Sequence, residues 1–488
     1  MLEKQGAFSF RRRISTARLV VRRVAAYNSS EPTSNRTTAL RAPYLWTNVV
    51  LCSIPWKKIM LERSKGALIH FDFSTDFGET CVTLHTSLRL AMENLHRMRG
   101  LTLWGPIVPL LSDSDTPAPT LRILTLIYHV PVIDGRLPDS FFAHISPGLQ
   151  ELCLNGLGIS PHSPLFGNMF TGLTSLTLIP CRVEHGWTLV QLLTVLERTP
   201  SLISLTLDEV LSILPDDLSL HSAVALNPVN LPHLQSLRFE HHRLVDCANL
   251  MHHLEIPPST TINLSTIVTS RIALTLPQPV LPRRNLMYNA PGVPLPLHKF
   301  QIMHDDYNPA IQTTIYFSCS PTGNQEGMFS LHLEPEGFEL SASDVVTVCK
   351  DLWLEDVHSL YLSIGRKSFD YATVFALFPA VDKLSVRHSA WHDIVKALAS
   401  GSADGSDAVQ LLCPHLRYLE FYCTKLDWLS RSIDVDENFF EMLATVLEVR
   451  RACGMELDRL LIFGEEILCR EVADLRMLRK RKILKEYI

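Results

Sequence analysis

With 488 residues, 46% of them hydrophobic, the chain holds enough apolar surface for several ordinary domains or one long repeat array, since single cores stop growing near ~250–300 residues. Its 45 Lys and Arg against 50 Asp and Glu leave a net charge of -5, without the positive excess that holds proteins to phosphate backbones, so no nucleic-acid partner is expected. No apolar run reaches the roughly 18–20 residues that span a bilayer, so no membrane association is expected; the 11 cysteines, which never form C-x-x-C, read as reduced core thiols of a cytoplasmic or nuclear protein.

Residues 1–37 carry Arg11, Arg12, Arg13, Arg18, Arg22 and Arg23 and end in a polar Asn28-Ser-Ser-Glu-Pro-Thr-Ser-Asn35 stretch. They read as a disordered or mis-spliced Arg-rich N-terminus; basic, Ser-containing character also suits a mitochondrial presequence. The sequons at Asn28 and Asn35 are expected to be accidental. Residues 38–73 predict a short apolar junction, then a helix through Pro55-Trp-Lys-Lys-Ile-Met-Leu-Glu-Arg-Ser-Lys65, followed by a short strand in Ala67-Leu-Ile-His-Phe-Asp-Phe73. Trp46 and Trp56, near Leu45, Val49 and Ile59, are expected to pack as the core of a capping region.

From there one motif recurs: an apolar residue, two variable ones, an apolar residue, one variable, an apolar residue. A strand with one buried face produces that alternation. Between residues 67 and 264 it stands at Met98/Leu101/Leu103, Leu121/Leu124/Leu126, Leu149/Leu152/Leu154, Leu173/Leu176/Leu178, Leu202/Leu205/Leu207 and Leu234/Leu237/Phe239, with a weak copy at Ile262 and Leu264. Residues 265–296, rich in proline (Pro277, Pro279, Pro282, Pro291, Pro294, Pro296), predict a protruding loop. Between 297 and 470 the motif returns at Leu297/Phe300/Ile302, Met328/Leu331/Leu333, Val357/Leu360/Leu362, Val381/Leu384/Val386, Leu416/Leu419/Phe421 and Leu457/Leu460/Ile462. The position ten residues after the first apolar one is also usually apolar, as at Leu244 and Trp391. Helical spacing fills Thr188–Arg198 and Glu437–Arg450. Residues 471–488 predict a basic C-terminal helix around Arg479-Lys-Arg-Lys482. Strand and helix alternating at irregular intervals predict an α/β leucine-rich-repeat solenoid, a horseshoe with parallel strands on the concave face and helices on the convex one.

The junction Thr38-Ala-Leu-Arg-Ala-Pro-Tyr-Leu-Trp46, with Glu62-Arg-Ser64 closing the next helix, resembles the end of the F-box in fungal F-box proteins, especially the large mushroom families. Leu40, Pro43, Leu45 and Trp46 carry the match. The resemblance implies docking on a Skp-type adaptor of a cullin-RING ubiquitin ligase, with the repeats binding a protein substrate. The helix that opens the family's F-box has no counterpart before Thr38. A mis-spliced start, a receptor that has lost ligase docking, or a targeting peptide in residues 1–37 would each account for that.

Chemistry is sparsely encoded. No phosphate-cradling Gly-rich loop, no G-x-S-x-G elbow and no H-E-x-x-H helix is present, so no enzyme activity and no cofactor are expected. His241, His242, Cys247, His252 and His253 are the best zinc candidates by residue type. The two leading histidines should point to opposite faces of a strand end, so the group reads as polar surface plus a core cysteine. Asp216-Asp217 and Asp305-Asp306 sit beside Pro215 and Tyr307 and read as solvated turns.

If the triads point inward, alternate residues face a partner. Early strands offer Trp104, Ser175, Thr177, Ser204, Thr206, Asp208, Ser236, Arg238 and Glu240. Later strands offer Tyr361, Lys383, Arg387, Tyr418, Glu420, Tyr422, Arg459 and Phe463. Tyr and Arg give contact area and directed hydrogen bonds at interfaces, so the later strands are the expected recognition patch. The functional expectation is a protein-binding substrate receptor; a free-standing scaffold and an imported mitochondrial enzyme are the alternatives.

Overall fold

The computed structural model describes residues 42–49, 54–74, 81–105, 117–128, 148–157, 171–179, 187–211, 228–257, 259–268, 288–290, 293–294, 299–303, 314–319, 329–335, 341–349, 354, 357–363, 369–387, 391–399, 411–422 and 439–463. The expectations for residues 1–37, for Leu40, for the aspartate pairs and for the tail 471–488 lie outside the described residues. The chain forms two units, one of residues 1–212 and 229–234, the other of residues 213–228 and 235–488. Both are α/β, built on parallel strands with helices between them.

In the first unit Pro43, whose fixed φ suits the first helical position, begins a 3-10 turn at Pro43–Trp46. There follow β1 (Asn48–Val49), α1 (Ile54–Arg63), β2 (Ile69–Ser74), α2 (Cys81–Glu93) and β3 (Met98–Trp104). Next come β4 (Ile123–Ile127), β5 (Glu151–Asn155), β6 (Ser175–Ile179), α3 (Leu189–Glu197), β7 (Ser204–Asp208) and β8 (Val229–Asn230). β1 to β7 pair in parallel, each with its successor in the chain. The register stacks Phe71, Leu101, Leu124, Leu152, Leu176 and Leu205 into one ladder, and Phe73, Leu103, Leu126, Leu154, Leu178 and Leu207 into a second. Every one of these side chains is buried, each contributing roughly 1.5–3 kcal/mol of transfer energy.

The same backbone bonds recur at several strands. Leu121 N–H donates to Ala118 C=O and Leu202 N–H to Thr199 C=O, making a tight turn that drops the first residue of each triad into the core. One residue ahead of the strands, N–H groups of Arg122, Gln150, Thr174 and Ile203 donate to the C=O groups of Arg99, Arg122, Gln150 and Thr174, extending the ladder. α3 starts with a reciprocal cap: Gln191 N–H donates to the Thr188 hydroxyl while Thr188 N–H donates to the Gln191 side chain, satisfying two otherwise orphaned donors. Gly156, at φ +73°, lies so near the Tyr128 carbonyl that a Cβ would come within 1.9 Å of it. Only glycine fits there.

The capping region departs from expectation at one residue. Trp46 is buried, with the Arg63 guanidinium 4.6 Å above its ring, but Trp56 is 47% exposed, and Tyr44 and Leu45 are exposed too. The inward face of α1 is occupied instead by Leu61 and by Lys57, whose ammonium lies 4.1 Å from the Phe73 ring centroid and donates to Ser87 Oγ. A Lys stem buried against aromatic rings fills the place where the tryptophan was expected.

The second unit comprises β9 (Ser236–Arg243), α4 (Leu244–His252), β10 (Leu254–Glu255) and β11 (Thr261–Val268). β12 (Tyr288–Ala290), β13 (Val293–Pro294), β14 (Lys299–Met303), β15 (Thr314–Cys319) and β16 (Phe329–Pro335) follow. The chain continues through α5 (Ala342–Cys349), β17 (Ser359–Ser363), α6 (Tyr371–Phe375), β18 (Lys383–Arg387) and α7 (Trp391–Ala399). It closes the described residues with β19 (Tyr418–Tyr422), α8 (Phe439–Ala452) and β20 (Arg459–Phe463). The tight turn recurs at Leu354/Val357, Phe378/Val381 and Cys413/Leu416, and the ladder extension at Asp382, Arg417 and Asp458.

Three expectations are corrected here. The weak copy at Ile262 and Leu264 is a full eight-residue strand alternating half-buried and buried side chains, so residues 265–268 belong to β11 and not to a loop. The proline-rich stretch contains an antiparallel pair, β12 with β13. Most consequential, strand order leaves chain order. β11 pairs with β16, β16 with β15, β15 with β14, and β14 with β17. β15 is antiparallel to both its neighbours; its sequence alternates, with Ile315 and Phe317, but puts Gln312 where the triad requires its leading apolar residue.

Candidate partner-binding face

Four parallel strands, β17 to β20, bring the later expected residues together. Their register aligns Ser359, Lys383, Tyr418 and Arg459 in one row and Tyr361, Ser385, Glu420 and Leu461 in the next, with Arg387, Tyr422 and Phe463 in a third. The intervening positions carry the core: Leu360, Leu384, Leu419 and Leu460 in one ladder, Leu362, Val386 and Phe421 in another, all buried. Behind β19, Trp391 of α7 meets Phe421 at a tilt and Phe439 of α8 meets it edge-on, at centroid distances of 5.3 and 5.7 Å. α8 is further tied by the buried Arg450, which donates to the C=O groups of Leu412 and Cys413 at 3.0 and 2.8 Å. Cys413 turns through φ 48° just before β19, and burial pushes its thiol up to about 12 against the pull of Arg450.

At the centre of the face lies Glu420. Lys383 Nζ stands 2.8 Å from its carboxylate, Ser385 Oγ donates at 2.7 Å and the Tyr422 hydroxyl at 3.0 Å. Burial alone would raise its pKa, but the hydrogen bonds from Lys383, Ser385 and Tyr422 outweigh that and hold it below the usual carboxylate value. Tyr422 is shifted up, by burial first and then by its bond to Glu420. Glu420 was expected as an exposed contact; it is buried and already spent on three partners. Ser385, absent from the expected set, completes the cluster, and strand alternation from Lys383 and Arg387 was the signal for it. Around the cluster, Tyr418 and Arg459 are exposed and Tyr361, Lys383, Arg387 and Tyr422 half-buried.

Arg238 and Glu240 are not part of this assembly. They lie on β9, with β11, β16, β15 and β14 between them and β17 in the strand order, and they pair with each other at 2.6 Å. The corresponding face of the first unit is chemically plain: Thr102, Thr125, Cys153, Thr177 and Thr206 stand in one row. Trp104, Ser175 and Ser204 are half-buried on it as alternation required, whereas Asp208 is buried.

The histidine-cysteine group does not converge on a metal site; among the described residues no cluster of three or more His, Cys, Asp or Glu is placed to hold one. Cys247 is the core cysteine expected and His252 is exposed, but His242 and His253 are buried and not the polar surface expected of them. A bulge at Glu240 and His241, with His241 at φ 54°, sets His242 opposite Thr266 and stacks it on Phe239 at 3.8 Å, buried. Cys247 is wholly buried and its thiol pushed up by burial and by Asp246, and the His253 ring bonds the Asn249 carbonyl oxygen. Of the five, His242, Cys247 and His253 belong to the core. Among the described residues no helix is long and apolar enough to cross a membrane. No protein-family model matches the chain, and no curated protein matches it.

Proposed function

We propose that the chain is a non-catalytic leucine-rich-repeat protein whose parallel strands form the concave side of a solenoid, and that it binds a protein partner through β17–β20. The observation that carries this reading is the concentration of Tyr361, Tyr418, Tyr422, Arg387 and Arg459 on one face of four adjacent strands, where the first unit offers a row of threonines. Aromatic and arginine side chains on a rigid sheet present large contact area for little rotamer entropy. The recurring turn and ladder extension support the repeat assignment, since each unit uses the same backbone bonds.

Within this reading the resemblance of residues 38–64 favours a substrate receptor of a cullin-RING ubiquitin ligase. Support comes from the 3-10 turn, which leaves Tyr44 and Leu45 exposed, as Trp56 is on α1, giving apolar surface on which a Skp-type adaptor could rest. A free-standing scaffold is the second reading. Affinity purification of the full chain separates them. The receptor reading expects a Skp-type adaptor that is lost on Tyr44→Ala/Leu45→Ala, and a partner that is lost on Tyr418→Ala/Tyr422→Ala. A partner without adaptor or cullin leaves the scaffold; an unchanged partner in the second variant ends the assignment of the face.

A further inference from the structure

We propose that the β17–β20 face takes an extended acidic peptide segment of its partner, one carrying two carboxylates about five residues apart. This rests on the reading of that face as the partner surface and adds the chemistry of the occupant. The face holds three cations and one carboxylate. Lys383 is consumed by Glu420, which leaves Arg387 and Arg459, and neither forms an ion pair among the described residues. In the row just outside the strands Arg417 stands between Asp382 and Asp458, an excess of one carboxylate that Arg387 and Arg459 outnumber, so the balance stays positive.

The register fixes how far apart the two guanidinium groups originate. Arg387 aligns with Tyr422 and Phe463, Arg459 with Tyr418 and Lys383. Two strands at ~4.8 Å and four residues at ~3.3 Å therefore separate them, a Cα distance of about 16 Å. An extended peptide covers that span in about five residues. Each arginine can hold a carboxylate through two parallel N–H donors. Between them, on β19, lie Tyr418 and Tyr422, with the Glu420 charge neutralised, which suits an uncharged or apolar centre in the peptide. A nucleic acid is disfavoured because the chain's net charge of -5 supplies no wider positive field.

Fluorescence anisotropy on the full chain with labelled peptides tests this. The probes are Gly-Glu-Ser-Leu-Ser-Ser-Glu-Gly, its double-Gln counterpart, a version with the two glutamates two residues apart, and a ten-nucleotide single-stranded RNA. The first peptide should bind at least about tenfold tighter than the other three at ~0.1 M salt, the worth of one good charge contact. Arg387→Gln/Arg459→Gln should abolish that preference, and Arg387→Lys/Arg459→Lys should keep part of it, showing that the variants fold. Equal binding of the Gln peptide, indifference to both arginines, or tighter binding of the RNA overturns the proposal. If the partner recovered by the full chain is lost on Tyr418→Ala/Tyr422→Ala while no acidic preference is found, the face stands and this inference alone falls.

Discussion

Removing the charge of Glu420 should loosen three side chains at once. Glu420→Gln breaks the Lys383 pair and weakens the bonds from Ser385 and Tyr422; hydrogen bonds to a charged group are worth ~1.5–3 kcal/mol, and retention of an amide acceptor brings the expected loss to about 1–2 kcal/mol at pH 7. The pH dependence has a definite sign. The native carboxylate holds its pKa below the ordinary value, so the native state gives up this proton more readily than the unfolded chain. Its stabilisation is complete above the ordinary carboxylate range and fades as pH falls through the lowered value. Denaturant midpoints of the two proteins should therefore differ most near neutrality and converge below about pH 4; a gap of constant size from neutral to acid would contradict the assignment. The same residue shows the limit of strand alternation as a guide. Period two names the face a side chain leaves from, and Glu420, Asp208 and Leu461 all leave from the face it names. Whether the side chain then stands in solvent depends on cross-strand neighbours, which are set by a register no single strand carries.

At the scale of one element, α8 was legible as a helix because Phe439, Leu443, Ala444, Val446 and Leu447 recur at helical spacing, and all are buried. What spacing could not reveal is that Arg450, on the same helix, also faces inward and is fully buried. Its guanidinium satisfies two carbonyls at the bend that feeds β19, and its Nε has no partner among the described residues. Arg450→Met removes a costly desolvated charge but takes the guanidinium donor from the Leu412 carbonyl, while the Cys413 carbonyl keeps its bond from Leu416 N–H. Replacing a buried charge by a hydrophobe can be neutral or better when its partners are replaced too; here the Leu412 carbonyl stays, at ~1–3 kcal/mol if dry. The acceptor wins, and a net loss of about 1–2 kcal/mol is expected in a chemical-denaturation series. A variant as stable as the parent would mean that water replaces the guanidinium.

For the whole molecule, the leucine triads fall on twelve strands; at Leu121, Leu202, Leu234, Val357, Val381 and Leu416 the leading apolar residue, three positions ahead of the alternating pair, belongs to the tight turn that starts a parallel strand. That also explains what the triads missed. β15 runs antiparallel, needs no such turn, and lacks the leading residue, so the reordering of β14, β15 and β16 left no mark in the motif. Its register has a testable consequence. Ser330 of β16 aligns with Ser318 of β15, that with Lys299 of β14, and that with Ser359 of β17. Excising residues 299–319 would take out two strands of opposite direction, leaving β16 and β17 parallel and in matching alternation. The chain left between β11 and β16 still exceeds the dozen or so residues that a parallel crossover needs. Each of β16 and β17 would then meet a neighbour of the kind found along β17 to β20. The excised protein is expected to keep the parent's oligomeric state by size-exclusion chromatography and to unfold cooperatively, with at most a modest loss in melting temperature. Aggregation or a non-cooperative melt would mean instead that β14 and β15 are required by the sheet they interrupt.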